Sequence, residues 1–136
     1  MKHLFAILLL ASGVASIAAD WAVVTSPSSP IATISKGDLK RVFTGKKGNI
    51  SGVKVVPFML SDANPAAQSF LKDVMGMSAE DYKKFWIDAQ VKGEGTAPAT
   101  QKSSATAVLV SADIPGALAV VEKSAVNGTV KEVAVQ

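Results

Sequence analysis

The sequence predicts an α/β domain with a mostly parallel sheet and helices on its faces, in the order β-α-β-α-α-α-β-β. Apolar runs rich in β-branched residues, which are typical of buried strands, alternate with segments whose apolar residues recur at helical spacing. Serine, asparagine, proline and glycine stand at the ends of these segments, where caps and turns need them. Alternating strands and helices favour a parallel sheet that is covered by helices.

The first 19 residues have the pattern of a secretory signal peptide. Lys2 and His3 form a basic start, residues 4–11 are apolar, and small residues suited to cleavage follow. The apolar run is too short to span a bilayer as a stable helix, although a retained signal anchor is the alternative. We expect export to a bacterial periplasm, cleavage before Ala19 or Asp20, and no membrane insertion of the mature chain.

Residues 20–136 then form one domain, which is long enough for a single hydrophobic core. The chain has no Cys, and its one His lies in the signal peptide. Thiol and imidazole catalysis and the usual zinc and transition-metal sites are therefore excluded, and no cofactor is expected. Helix capping and solubility explain the carboxylates best, notably Asp38, Asp73, Asp81 and Asp88. We expect a protein that is not an enzyme.

The charge balance indicates no nucleic-acid partner. The full chain has 14 Lys and Arg residues against 11 Asp and Glu residues, and one of these lysines leaves with the signal peptide. Basic residues occur as the pairs Lys46-Lys47 and Lys83-Lys84 and do not cluster as a nucleic-acid footprint requires.

The first half of the mature chain predicts two strands and two helices. The strands are residues 21–25 and 53–60, both apolar and rich in β-branched side chains. One helix runs from its N-cap Ser35 to a left-handed Gly45, and the next from Asn64 to Gly76. The second of these helices begins with proline, which suits the first helical position.

The second half predicts two further helices and two strands. A capping pattern of Ser78 and Asp81 opens a helix with an aromatic stripe that ends near Ala89. We expect a loop at 91–100, a helix from Ser103 or Ser104 to Ala112, strands at 117–121 and 130–135, and a helical turn between these strands at 122–126.

Two polar loops predict a ligand site. In sheets of this type, ligands collect at the carboxyl ends of strands, beside helix N-termini that carry free N–H groups and partial positive charge. Residues 26–33 and 61–64 each follow a strand and contain hydroxyl and amide groups but no Arg or Lys. We expect an anion to be bound by Ser61, Asp62, Asn64, the amides of Ala66 and Ala67, and Ser26, Ser28 and Ser29. No metal is expected.

Three segments also carry a family pattern. Residues 34–47, with the core V-F-x-G-K-K, precede the loop L-S-D-A-N-P-A at 60–66, and residues 113–121 read D-I-P-G-A-L-A-V-V. In this order and spacing they resemble the periplasmic phosphate-binding proteins, which are type II solute receptors of phosphate ABC transporters. The resemblance is to short, single-domain members. It implies one lobe of the type II periplasmic binding protein fold.

The resemblance implies an exported solute-binding protein that binds phosphate or a related small oxyanion non-covalently for ABC transport. Its partners would be the anion and an ABC permease, or a second copy of the chain. The alternative is a non-enzymatic envelope interaction module that keeps the fold and has lost the ligand.

The candidate loop departs from the family pattern at three positions. Leu60 stands where the family places an arginine, while Pro65 and Ala66 replace a glycine and a hydroxyl donor. Asp62 matches the family's aspartate, and Asn64 can donate in place of a serine. Because a hydrogen bond to a charged group contributes about 1.5–3 kcal/mol, these losses predict weakened anion binding.

Overall fold

A six-stranded sheet organises residues 20–136, which are the residues described by the computed structural model. The predicted signal peptide lies outside the described residues. The sheet strands are β1 (Trp21–Thr25), β2 (Thr33–Ile34), β5 (Val56–Leu60), β6 (Ala99–Gln101), β7 (Ala117–Glu122) and β8 (Lys131–Val135). A separate two-stranded ribbon pairs β3 (Asn49–Ile50) with β4 (Val53–Lys54).

Residues 20–136 also form four α-helices. They are α1 (Lys36–Phe43), α2 (Pro65–Phe70), α3 (Ala79–Val91) and α4 (Ser104–Asp113). A π-helical turn, Leu71–Met75, continues α2, and a 3₁₀ turn, Lys123–Ala125, joins β7 to the last strand. No helix within residues 20–136 is both long enough and apolar enough to cross a membrane.

The strand order is β2-β8-β1-β7-β5-β6. The pairs β5–β6, β5–β7 and β2–β8 are parallel, whereas β1 is antiparallel to both β7 and β8. Five strands therefore run in one direction and β1 runs in the other. This confirms the predicted mostly parallel α/β sheet.

The predicted helix ends are confirmed by their caps. The Ser35 side chain accepts a hydrogen bond from the Asp38 amide, and Ser78 and Asp81 form a complete capping box. Gly45 and Gly76 have φ angles of 75° and 65°, the left-handed conformation that ends a helix with least cost for glycine.

Two strand predictions need correction. The predicted strand 53–60 is divided between β4 and β5, and the predicted loop 91–100 ends in β6. Strand β6 has three residues, paired through Phe58 with Ala99, Met59 with Thr100 and Leu60 with Gln101. Three residues are too few to show a periodic pattern, and their strand conformation comes from pairing with β5.

The core lies on both faces of β1 and β7. Val23, Val24, Val120 and Val121 are completely buried between the helix layers. On one face, Phe70 of α2 packs edge-to-face against Trp21 and Phe43, with ring centroids 5.1 Å apart in each pair.

Helix α3 is attached to this body through α1. The Tyr82 hydroxyl donates a hydrogen bond to the Phe43 carbonyl at 2.6 Å. Gly45 lies directly against the Trp86 ring, and a β-carbon there would be only 2.9 Å from its nearest ring carbon. The position of α3 matters because this helix forms one wall of the cleft described below.

Candidate functional site

The sheet has a crevice where β5 and β6 end. Helices α2 and α4 both pack on β1, β5 and β7. The chain passes from β5 to β6 in one direction and from β6 back to β7 in the other, so right-handed crossovers place α2 and α4 on opposite faces. The loops that follow the neighbouring strands β5 and β6 therefore leave the sheet in opposite directions. This arrangement is the switch point at which open α/β sheets bind ligands.

The loop after β5, residues 61–64, forms the first wall of this crevice. The Ser61 amide donates to the Gln101 carbonyl at 3.2 Å, and the Asn64 amide donates to the Ser61 carbonyl at 2.9 Å. The Gln68 side-chain amide donates to the Asp62 carbonyl at 2.9 Å. These bonds hold the backbone of the loop, while the Asp62 side chain remains exposed.

The Asn64 side chain makes two hydrogen bonds within the protein. Its Oδ1 accepts a hydrogen bond from the Ala66 amide at 2.9 Å, and its Nδ2 donates to Glu122 Oε1 at 3.1 Å. Ala66 and Ala67 are both 0% exposed. The predicted donors at the start of α2 are thus brought together, but a ligand in solvent cannot reach the amides of Ala66 and Ala67 in this arrangement.

The predicted serines of the first loop are not brought together with residues 61–64. Strand β1 is antiparallel to β7, which is parallel to β5, and the carboxyl ends of β1 and β5 therefore lie at opposite edges of the sheet. Ser26 Oγ donates to the Ala112 carbonyl at the end of α4, and Ser29 Oγ accepts from the Ile31 amide. Ser28 lies in the same turn, and its amide donates to Ser26 Oγ.

The loop after β6 forms the second wall of the crevice. Its residues were not among those that the sequence predicted for the site. Lys102 is exposed and directly follows Gln101, the hydrogen-bond partner of Ser61. Ser103 caps α4 by accepting from the Thr106 amide at 3.2 Å, and Ser104 Oγ accepts from the Glu122 amide at 2.8 Å. The serine caps were visible in the sequence, but their place beside residues 61–64 depends on β6.

The charges around the crevice are mixed. Lys102 contributes one positive charge, while Asp62 on the first wall and Glu122 at the end of β7 contribute carboxylates. Within residues 20–136, no three acidic, His or Cys side chains are grouped closely enough to hold a metal ion. The crevice therefore offers hydroxyl groups and one ammonium group to an anion, against two nearby carboxylates.

A cleft of about 380 Å³ adjoins the crevice, between α3 and the β5–β6 pair. Ser61 and Asp62 line both the cleft and the crevice. Burial raises the pKa of Tyr82, which lies in the cleft wall, to about 12, against a smaller opposing effect of the Trp86 indole. The Trp86 N–H is buried and has no hydrogen-bond partner of good geometry among the described residues.

Comparison with solved structures identifies the fold. An ABC-type phosphate transport receptor from Vibrio cholerae is 14% identical, with a TM-score of 0.67 over 88% of this chain and 47% of that chain. A protein from Clostridium perfringens, described as a phosphate ABC transporter substrate-binding protein and solved with bound phosphate, is 20% identical, with a TM-score of 0.67 over 88% and 46%. PstS from Borrelia burgdorferi is 15% identical, with a TM-score of 0.63 over 87% and 47%.

These likenesses establish the fold as that of one lobe of a phosphate-binding protein, as the resemblance implied. The chain spans about half the length of these structures. No protein-family model matches the chain, and no curated protein matches it at a significant level. The solved neighbours are named as receptors or binding proteins and not as enzymes, which agrees with a solute-binding fold.

Proposed function

We propose that this chain is an exported, non-enzymatic solute-binding protein that holds phosphate or a related small oxyanion in the crevice between the two loops. The observation that carries the proposal is the Ser61–Gln101 hydrogen bond, which joins the first residue after β5 to the last residue of β6 and so places the two following loops side by side. The two loops continue toward opposite faces of the sheet, so the space between them is open to a ligand.

The donors come from both walls of this crevice. The Ser61 and Ser103 side chains are half-buried and supply hydroxyl groups, and the exposed Lys102 supplies an ammonium group. Ser103 is the N-cap of α4. The ten residues of α4 direct the positive end of the helix dipole and free amide groups toward the crevice. Asp62 can accept the proton of a protonated phosphate oxygen, as the resemblance implies.

We expect this binding to be weak. The arginine of the family pattern is replaced by Leu60, which is 1% exposed and belongs to the core. The loss of two charge-assisted donors, this arginine and the hydroxyl group replaced by Ala66, lowers affinity by roughly two to four orders of magnitude. A single lobe also leaves the anion in contact with water, which lowers the energy of each remaining electrostatic contact. An ABC permease or a second copy of the chain would complete the site.

The second candidate is an envelope interaction module that has lost its ligand. The bond from Asn64 to Glu122 favours it, because the protein's own carboxylate lies at the start of α2 where an anion was expected. Both candidates share the fold and the export signal, and they differ in whether an oxyanion binds.

The two candidates are separated by thermal unfolding of residues 20–136 in increasing phosphate and sulfate. A bound anion at one hundred times its dissociation constant adds about 2.7 kcal/mol to the free energy of unfolding. Lys102→Gln should reduce this gain. Lys92→Gln, at an exposed lysine outside the crevice, should keep it. No gain at millimolar anion would support the interaction module.

A further inference from the structure

The cleft between α3 and the β5–β6 pair has features that an oxyanion does not use. Its volume of about 380 Å³ falls within the range of small-molecule sites. Most of its lining is apolar, including Leu60, Leu71, Trp86, Ile87 and Pro98. Such a surface suits a ligand with an apolar body.

The two ends of this cleft differ in chemistry. The Gln68 side chain donates to the Asp62 carbonyl, and Gln68 lines a small hollow together with Ala79 and Glu80, the first two residues of α3. The first turns of α3 therefore lie beside the loop at residues 61–64, and its last turns lie at the other end. Lys83, in the second turn of α3, lines the cleft together with Asp62, whereas Gln90 near the end of α3 and Ala97 after it also line the cleft.

Lys83 and Asp62 are the charged residues that line the cleft. Neither forms an ion pair within the described part of the chain, and both side chains are exposed. One ammonium group and one carboxylate at the same end complement a ligand head that carries one charge of each sign.

Ile87 forms the apolar lip of the cleft. It lies one helical turn after Lys83 on the same side of α3, and it is 53% exposed. Trp86, next to it, presents its aromatic side chain to the cleft while remaining 5% exposed. A ligand whose apolar part covers Ile87 would remove this surface from water.

We propose that this cleft binds a free apolar α-amino acid. The ligand's ammonium group lies at Asp62, its carboxylate lies at Lys83, and its side chain extends along Trp86 and Ile87. The zwitterion is neutral overall, so it needs no excess of positive charge in the site. This site goes beyond the oxyanion crevice, because it uses α3 and requires neither Lys102 nor the start of α4.

Tryptophan fluorescence tests this directly with L-leucine as the probe. The chain has two tryptophans, and Trp21 lies away from the cleft, where it packs on Phe70 and donates to Asp73. A Trp21→Phe variant leaves Trp86 as the only indole, and leucine should change its emission in a saturable manner. If this variant is unstable, calorimetric titration of residues 20–136 without substitutions measures leucine binding instead.

Ligand analogues test the two charges separately. Isocaproate lacks the ammonium group and isoamylamine lacks the carboxylate, while both keep the side chain of leucine. Each should bind roughly fivefold more weakly, which is the effect of losing one exposed ion pair of about 1 kcal/mol. Equal binding of leucine and either analogue would overturn the assignment of that charge.

Variants at matched positions complete the test. Lys83→Gln should weaken leucine binding roughly fivefold, while Lys84→Gln makes the same change one residue further on and outside the cleft. Lys102→Gln should leave leucine binding unchanged and weaken phosphate binding alone. The amino-acid site and the oxyanion site can therefore fail independently of each other. No saturable response to millimolar leucine, or equal effects at Lys83 and Lys84, would refute the proposal.

Discussion

The Asn64 side-chain amide donates to the Glu122 carboxylate at 3.1 Å and so ties the start of α2 to the end of β7. The same Asn64 caps α2 through the Ala66 amide. A carboxylate of the protein thus lies where the sequence suggested an external anion. This relationship explains why we place the proposed oxyanion nearer to Lys102 and why we expect its binding to be weak.

Neutralising that carboxylate should strengthen oxyanion binding. Glu122→Gln keeps an oxygen that can accept from Asn64 but removes a negative charge from the edge of the crevice. We predict a roughly threefold to tenfold lower dissociation constant for phosphate, measured by calorimetric titration at low ionic strength. Glu94→Gln, at an exposed glutamate in the loop after α3, is the control and should leave the constant unchanged. An unchanged dissociation constant in Glu122→Gln would show that Glu122 does not weaken phosphate binding.

Gly116 should tolerate no side chain. A β-carbon at this position would lie 2.0 Å from the Lys54 carbonyl oxygen, and the Gly116 carbonyl itself accepts from the Val56 amide at 2.8 Å. We predict that Gly116→Ala lowers the free energy of unfolding by about 3 kcal/mol, since backbone must move to relieve the contact. Gly128→Ala, where the surroundings are open, should cost much less in the same denaturant titration.

Tyr82 should make stability fall at high pH. Burial raises the pKa of Tyr82 to about 12, from the usual 10.0 of a tyrosine side chain. Between these two values the unfolded chain loses the phenolic proton and the folded chain keeps it. The stabilisation is therefore complete below pH about 10 and is lost as pH rises toward about 12, with a total of roughly 2–3 kcal/mol.

The Tyr82 prediction can be read at a single residue, because the chain has one tyrosine. Near-ultraviolet absorbance of tyrosinate gives the pKa in the folded protein, and chemical denaturation at each pH gives the stability. Tyr82→Phe should lack this part of the pH dependence, while losing the hydrogen bond to Phe43. A folded-state pKa near 10 would contradict the buried environment of this ring.

Two buried threonines should respond oppositely to valine. Thr25 is 0% exposed, and its hydroxyl has no partner among residues 20–136, so Thr25→Val should stabilise the fold by about 1 kcal/mol. The Thr44 hydroxyl donates to the Lys40 carbonyl at 2.7 Å, and Thr44→Val should destabilise by about the same amount. Denaturant titrations of both variants test the pair. A loss of stability in Thr25→Val would show that its hydroxyl has a hydrogen-bond partner.

The sequence predicted most elements because their signals are local. Caps such as Ser35 and Ser78 and the left-handed Gly45 depend on neighbouring residues alone. Strand β6 depends on pairing with β5, and no periodic signal within its three residues could reveal it.

The candidate site was predicted in part. Residues 61–64 follow β5 as expected, but the serines after β1 lie at the opposite edge because the direction of β1 is fixed by long-range pairing with β7. The same pairing information was needed to find Lys102. Asn64 was recognised as a cap, while its bond to Glu122, 58 residues away, had no local signal.

The most direct test of the oxyanion crevice is amide chemical-shift mapping by NMR during a phosphate titration of isotope-labelled residues 20–136. The account predicts saturable shifts at Ser61–Ala63 and at Lys102–Ala105, with the amides of Ser26, Ser28 and Ser29 unchanged. Saturable shifts centred on those three serines, or none at either loop after β5 and β6 in millimolar phosphate, would contradict it.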